Sequence, residues 1–519
     1  NSVTGNTVLG ENALDASVSG QDNTAIGKNA LTSLTSGQNN IAIGKGCGED
    51  MTSGQNNVLV GSDTGRDITT GSENTYLGFS AGFSHTTANN NVGIGSNALE
   101  QNTTGAQNVA VGALALDANT TASNNTAIGY SSLTTNTIGT QNTAVGSFAL
   151  NSNTANNCSA FGANALIAST TGINNNAFGS ASLAANTTGI SNQAFGVSAL
   201  QFNTTGSQNN AFGSAALANN TTASDNTAFG HNALNANTTG AFNVAVGALA
   251  LDANTTGQLN TAVGYQALTS NTTGEFNTSL GTNALRDSTT SSHNVGIGRN
   301  ALMVNTTGAA NTALGTQSLD SNTTGGANTA VGYVALHSNT TGVSNVALGY
   351  SALASNTTAN QNVAVGQNAL AANTTATLNS ALGHDALLSN TTGNQNTAVG
   401  GLALDANTTA NANNAFGVAS LSGNTTGTQN CAFGNFTLAT NTTAANNSGF
   451  GHNALALNTT GVQNTAVGAG ALSTNTTSSN STAVGTNALQ DSTGDGNTAL
   501  GEFAGANVTT GATNIFIGK

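Results

Sequence analysis

The hydrophobic and polar positions of this chain repeat one short pattern from end to end, Asn-Thr-Ala-Val-Gly-x-x-Ala-Leu-x-x-Asn-Thr-Thr-Gly-x-x. One copy runs from Asn260 to Phe276 and the next opens at Asn277. Copies start at residues 6, 23, 40, 57 and so on to 514, thirty-one starts in all. The step is 17 residues except from Asn142 to Cys158 and from Ser481 to Asn497, where it is 16. A period this strict, with no insertions, means that each unit is one coil of a stack and that stacking fixes its length. Positions are numbered here from the first Asn of each unit. Position 5 is Gly in every copy, position 4 is large and apolar, position 3 is nearly always Ala, Gly or Ser, and position 9 is Leu in most copies.

A helical reading fails, because Gly and β-branched residues interrupt every short apolar segment. The pattern predicts an all-β chain, a parallel β-solenoid of about thirty 17-residue coils with two short strands per coil, at positions 1–4 and 8–14. Gly at positions 5 and 15 turns the chain between them. Gly129, Gly146, Gly162, Gly179 and Gly196 are examples at position 5. The large residues at position 4 are expected to line the core with the leucines of position 9. The position-4 ladder is represented by Val145, Phe161, Phe178, Phe195, Phe212, Phe229 and Val246, and the position-9 ladder by Leu183, Leu200 and Leu217. Like aromatic rings at one position of successive coils are expected to stack. The small residues of position 3 then face outward, as a stripe suited to close packing against another chain. Four units sharpen the interior: position 9 is Gly at Gly48, Gly65, Gly82 and Gly505, and position 12 becomes Met51, Ile68, His85 and Val508 instead of Asn. Position 12 is therefore able to point inward.

Composition narrows the function classes. Only 5% of residues are charged, with six Lys plus Arg against a net charge of −14, so binding to nucleic acid or to an anionic membrane has no electrostatic basis. No apolar run is long enough for a membrane-spanning helix, so direct membrane insertion of this segment is not expected. Residues 1–519 read as one continuous repeat array, a segment of a longer chain.

The copies Asn39-Asn40-Ile41-Ala42-Ile43-Gly44 and Gln107-Asn108-Val109-Ala110-Val111-Gly112 resemble the head repeats of YadA-type trimeric autotransporter adhesins. The longer form, which includes Tyr265 and Tyr333, also resembles repeat regions of phage and giant-virus tail-fibre-like proteins. The resemblance covers essentially the whole chain. It implies a left-handed parallel β-roll, usually a homotrimer, on a cell or virion surface.

Nineteen units carry Asn-Thr-Thr from position 12, each a formal N-glycosylation acceptor. They are Asn102, Asn119, Asn186, Asn203, Asn220, Asn237, Asn254, Asn271, Asn305, Asn322, Asn339, Asn356, Asn373, Asn390, Asn407, Asn424, Asn441, Asn458 and Asn475. The competing reading is a structural Asn ladder, favoured because Thr-Thr persists where the Asn is Ser169 or Ser288. The Thr columns at positions 2, 13 and 14 raise ice binding as an alternative. Catalysis has little support. His231, His384 and His452 share position 6 and Asp117, Asp252 and Asp405 share position 10, all many coils apart, and no metal-ligand spacing occurs. Cys47, Cys158 and Cys431 fall in coils too distant for a disulfide. The sequence thus predicts a non-catalytic structural or adhesive extracellular fibre or filament without cofactor or metal. It would associate with itself, as a trimer or end to end, and engage a surface receptor or glycan.

Overall fold

The computed structural model describes residues 3–519, so the first two residues of the array lie outside it. It is an all-β parallel solenoid built of two compact units, Asn1–Leu259 and Asn260–Lys519. The first holds fifteen strands, from β1 (Thr7–Leu9) to β15 (Val244–Val246), and the second sixteen, from β16 (Thr261–Val263) to β31 (Ile515–Ile517). Inside each unit every strand pairs in parallel with the next in chain order. Each residue lies opposite its equivalent one coil on, as Phe178 opposite Phe195. The two short steps keep this register: Phe161 still lies opposite Val145. Alignment of Asn153-Thr154-Ala155 and Ser492-Thr493-Gly494 on positions 12, 13 and 15 places the missing residue at position 14, which is exposed in neighbouring coils such as Thr121 and Thr171.

There is one strand per coil, three residues long at positions 2–4, and not the two predicted. The segment at positions 8–14 does bond coil to coil: Leu31 N–H donates to the Cys47 carbonyl at 3.0 Å, Ser33 to Glu49 at 3.1 Å and Thr35 to Thr52 at 2.9 Å. It is not a strand because its backbone is bent. Positions 7 and 9 take left-handed conformations, as at Asn29 (φ 59°) and Leu31 (φ 52°), and so does position 17, as at Asn39 (φ 59°). An apolar residue in this region costs about 1–2 kcal/mol. Full burial of a leucine returns about 1.5–3 kcal/mol, which offsets that cost.

The strand faces the opposite way from the sequence expectation. Position 3 points inward and is fully buried, as at Ala177, Ala194 and Ala211. Position 4 points outward: Phe161 is 36% exposed and Phe229 56%, while Val145, Phe178, Phe195, Phe212 and Val246 are half-buried. The position-9 leucines Leu183, Leu200 and Leu217 are in the core as predicted. The interior is so thin that the strand's Ala meets Leu directly across it, and a Phe from the strand has no room. Where position 3 is Leu, Tyr or Phe, position 9 has given way. Leu59, fully buried, lies beside Gly48 and Gly65, and Tyr76 beside Gly82. Phe516 likewise lies beside Gly505. Met51, Ile68 and His85 at position 12 complete the filling in those coils and are fully buried. The stripe of small residues is thus core, and the interchain packing expected of it has no surface to act through.

The predicted stacking of like rings does occur, on the outside. Rings from Phe161 to Phe212 stack at centroid spacings of 4.6 to 4.7 Å, with Phe229 continuing at 5.5 Å. Phe416, Phe433 and Phe450 form a second stack.

Position 5 explains its invariance. Gly129, Gly146, Gly162, Gly179 and Gly196 have φ between 133° and 143°. A Cβ on Gly196 would lie 2.4 Å from the Gly213 carbonyl oxygen of the next coil. Position 15 differs from expectation, since its glycines are outside the left-handed region and Ala122, Ala223 and Ala359 replace them. Gly196→Ala should therefore lower the opening free energy of its own and adjacent coils by more than about 2 kcal/mol, read by native-state hydrogen exchange. At Gly206, position 15, a Cβ would also meet the next coil, 2.2 Å from the Ala223 carbonyl oxygen. But φ there admits a side chain, and native Ala122, Ala223 and Ala359 show that the coil can shift to hold one, so Gly206→Ala should cost clearly less than Gly196→Ala. Equal effects would contradict the assignment.

Candidate functional site

Two columns of asparagine run through the interior, and their geometry decides what the Asn-Thr-Thr motifs do. All nineteen Asn-Thr-Thr asparagines of position 12, from Asn102 to Asn475, are fully buried. Each sits at the start of a turn whose position-15 carbonyl curls back over it: Asn102 Nδ2 donates to the Gly105 carbonyl at 2.9 Å, and Asn203 Nδ2 to that of Gly206 at 2.9 Å. The same amide also donates to the side-chain oxygen of the previous coil. Asn119 reaches Asn102 at 2.8 Å, Asn203 reaches Asn186 at 2.9 Å, and the run continues through Asn220 and Asn237 to Asn254. In the second unit it extends from Asn305 to Asn475. Asn271 donates to Gly274 at 3.1 Å.

At these positions the folded chain favours the ladder over a glycan. The nitrogen that would carry the sugar spends its protons inside the core, and no glycan fits where the side chain is fully buried. The ladder reading holds. Ser169 keeps it with its hydroxyl, 3.3 Å from Asn153 Oδ1.

Position 1 forms a second buried ladder that sequence reasoning did not single out. Asn40 Oδ1 accepts the backbone N–H of Asn57 at 3.0 Å, and Asn40 Nδ2 donates to the Gly54 carbonyl at 2.8 Å. Both ladders converge on the position-15 carbonyl: Gly105 accepts from Asn91 at 3.0 Å and from Asn102 at 2.9 Å. The signal was available, since Asn recurs at position 1 in nearly every unit. The position-13 threonines form a third column, each hydroxyl donating to the carbonyl one coil on, as Thr103 to Thr120 at 3.0 Å.

Titratable groups are scattered over the coils. His85 and Tyr76 form the one inward polar pair of the Gly-9 coils. His85 Nε2 lies 2.7 Å from the Ala88 carbonyl, to which it donates, so Nδ1 accepts the Tyr76 hydroxyl at 2.5 Å. Burial pushes His85 down to about 4 and the Tyr76 phenol upward. Asp320 and His337 share position 10 in consecutive coils, with Oδ1 and Nδ1 2.7 Å apart. Burial raises the Asp320 carboxyl and the His337 charge opposes it. This pair was legible as like positions one repeat apart and was missed. Burial also raises the position-10 carboxyls, Asp117 to about 6 and Asp405 upward, the two lying many coils apart. Cys47 is buried and its thiol pushed up to about 12 by desolvation, while Cys431 is half-buried at position 2 of the sheet face. Among the described residues no three His, Cys, Asp or Glu gather as a metal site, and no helix is long and apolar enough to cross a membrane. A shallow polar depression of about 370 Å³ is lined by Gln395, Asn411, Ala412, Thr428 and Gln429.

The outward side of each sheet is the most distinctive surface. It carries positions 2 and 4, and none of its residues is charged. Ile41, Val58, Leu77, Ile128, Leu280, Leu348 and Leu382 are all at least 36% exposed on it. The chain matches no protein-family model and no curated protein sequence.

Two outcomes follow from the buried polar groups. Asn203→Ala removes an amide whose loss leaves the Asn220 amide short of an acceptor. It should cost about 2–4 kcal/mol in local hydrogen exchange, with Asn203→Ser costing less; equal, negligible losses would contradict the ladder. His85 has a folded pKa below its unfolded value near 6.5, so its coil is fully stable above that pH and loses stability as pH falls through about 4. Tyr76→Leu with His85→Ile reproduces the neighbouring coil of Leu59, Gly65 and Ile68, and should abolish this acid-induced exchange.

Proposed function

We propose that the chain is a non-catalytic structural segment of an extracellular fibre on a cell or virion surface, working as an assembly of copies of itself. The observation that carries this reading is the sheet face of each unit, an uncharged strip of position-2 and position-4 side chains with exposed Val, Ile, Leu and Phe. Such a strip is a poor solvent surface and a good interface core. The trimer implied by the adhesin-head resemblance is compatible with it, because a rotation axis parallel to the coil stack brings identical strips together. Adhesion to a receptor or glycan would use the remaining faces.

The coil-to-coil hydrogen bonding suits a mechanical role. The outer turns carry a variable mixture of polar and apolar side chains, such as Lys28, Phe202 and Tyr265, and the titratable pairs stand alone. The position-13 Thr hydroxyls are committed to the next coil's carbonyls, so that column supports stacking rather than an outward lattice of ordered water. The buried position-12 asparagines likewise support a bare coil over a densely glycosylated one.

Sedimentation equilibrium on the purified chain tests the reading. A defined oligomer at micromolar concentration is expected, resistant to salt because the face carries no charge. A monomer at all concentrations would remove the reading's main support.

A further inference from the structure

The outward face changes composition in two blocks, and the change is coordinated within each coil. Where position 4 is Phe, position 2 loses its β-branched residue. The first block has Ser159, Asn176, Gln193 and Asn210 beside its phenylalanines, and the second has Asn414, Cys431 and Ser448. Seven of the eight Phe coils follow this rule, the exception being Thr227. In every other coil position 2 is Thr, Val or Ile, except at Ser380. Positions 2 and 4 are neighbours on one side of a strand, about 7 Å apart. The face thus exchanges a branched pair for one large ring beside one slender polar residue.

Solvent does not demand such an exchange. A surface facing water has no fixed shape to match, whereas a packed surface loses stability to overfilling and to voids alike. The covariation therefore marks a covered face. It also says what covers it. The compensation lies in the same coil, so the covering surface presents its matching change at the same level of the stack. An unrelated partner would have to carry its own blocks of five and three. A second copy of this chain, parallel and in register, carries them automatically. A copy running antiparallel would set a block against Val, Ile and Leu coils, since each block lies off centre in its unit. The size is sufficient: the fifteen strands of the first unit offer a strip about 70 Å long and about 10 Å wide, close to the roughly 800 Å² per partner of a stable interface.

We infer that copies of this chain associate through the position-2 and position-4 face in parallel and in register. On this inference the two phenylalanine blocks, each paired with slender position-2 residues, act as the register marks. It rests on the self-assembling fibre reading and deepens it.

Cys431 supplies a native probe, since it lies at position 2 within the second block while Cys47 and Cys158 are buried. A short bismaleimide on the wild-type chain should bridge Cys431 to its equivalent in another copy, and Cys431→Ser should abolish the bridge. Thr143→Cys in the Cys431→Ser background should bridge to itself. Mixed with wild-type chains, it should give no bridge between residues 143 and 431. Separately, Ser159→Val, Asn176→Val, Gln193→Val and Asn210→Val together set a branched side chain beside four rings of the first block and add volume at the Ser and Asn positions. The variant should weaken assembly by about a hundredfold with melting of the separated chain unchanged, because Val is already native at this position in Val244. Adding Phe161→Val, Phe178→Val, Phe195→Val and Phe212→Val should restore assembly. Assembly without homotypic bridges, or with bridges between levels, overturns the register while leaving the fibre reading intact. So does a valine variant that shifts monomer melting but not association, because the covariation would then belong to packing within one chain. A chain that stays monomeric overturns both.

Discussion

The fold depends on one carbonyl per coil. At position 15 the backbone oxygen accepts two side-chain amides of its own coil, one from the position-12 Asn and one from the position-1 Asn, as at Gly105 with Asn102 and Asn91. A buried carbonyl has two lone pairs, and an unpaired buried polar group is costly to keep. Both are used here. Each asparagine in turn passes a hydrogen bond to its equivalent one coil away, so the turn of one coil is tied to those on either side. The strand contributes three residues and few ladder bonds; the asparagines make the stack cooperative across the turns.

This constraint explains the repeat's other fixed features. The position-5 glycines allow coils to approach until a Cβ would strike the next carbonyl. That close approach leaves an interior one Ala and one Leu thick, in which bulk is conserved rather than residue type. Leu59 and Tyr76 enter from the strand where Gly65 and Gly82 stand aside. The missing residue of the short units falls at position 14, outside the asparagine ladders.

Much of the fold was legible in the sequence, and the reason for the principal error is physical. The period, the parallel stack, the leucine ladder and the exchange between positions 9 and 12 could all be read from spacing. The direction of the strand could not be read from bulk alone, because a core this narrow selects Ala and sends Phe outward. The correct signal was in the exceptions: Leu59, Tyr76 and Phe516 at position 3 each lie beside a position-9 Gly. The second strand was over-read because an apolar, β-branched segment carried left-handed turns at Asn29 and Leu31 that composition does not reveal. The asparagines were legible as a ladder only at position 12, where a glycosylation motif drew attention. Turning the strand over also moves the expected partner surface from the small residues to the large ones, where the phenylalanine blocks lie.

The central claim is that the asparagine amides hold the coils together from inside. Hydrogen exchange of the side-chain carboxamides, in protein labelled with ¹⁵N at asparagine, tests it most directly. The account predicts two populations: slow exchange for the buried amides of positions 1 and 12, and fast exchange for exposed ones such as Asn124 and Asn446. A single fast-exchanging population in the folded protein would contradict it.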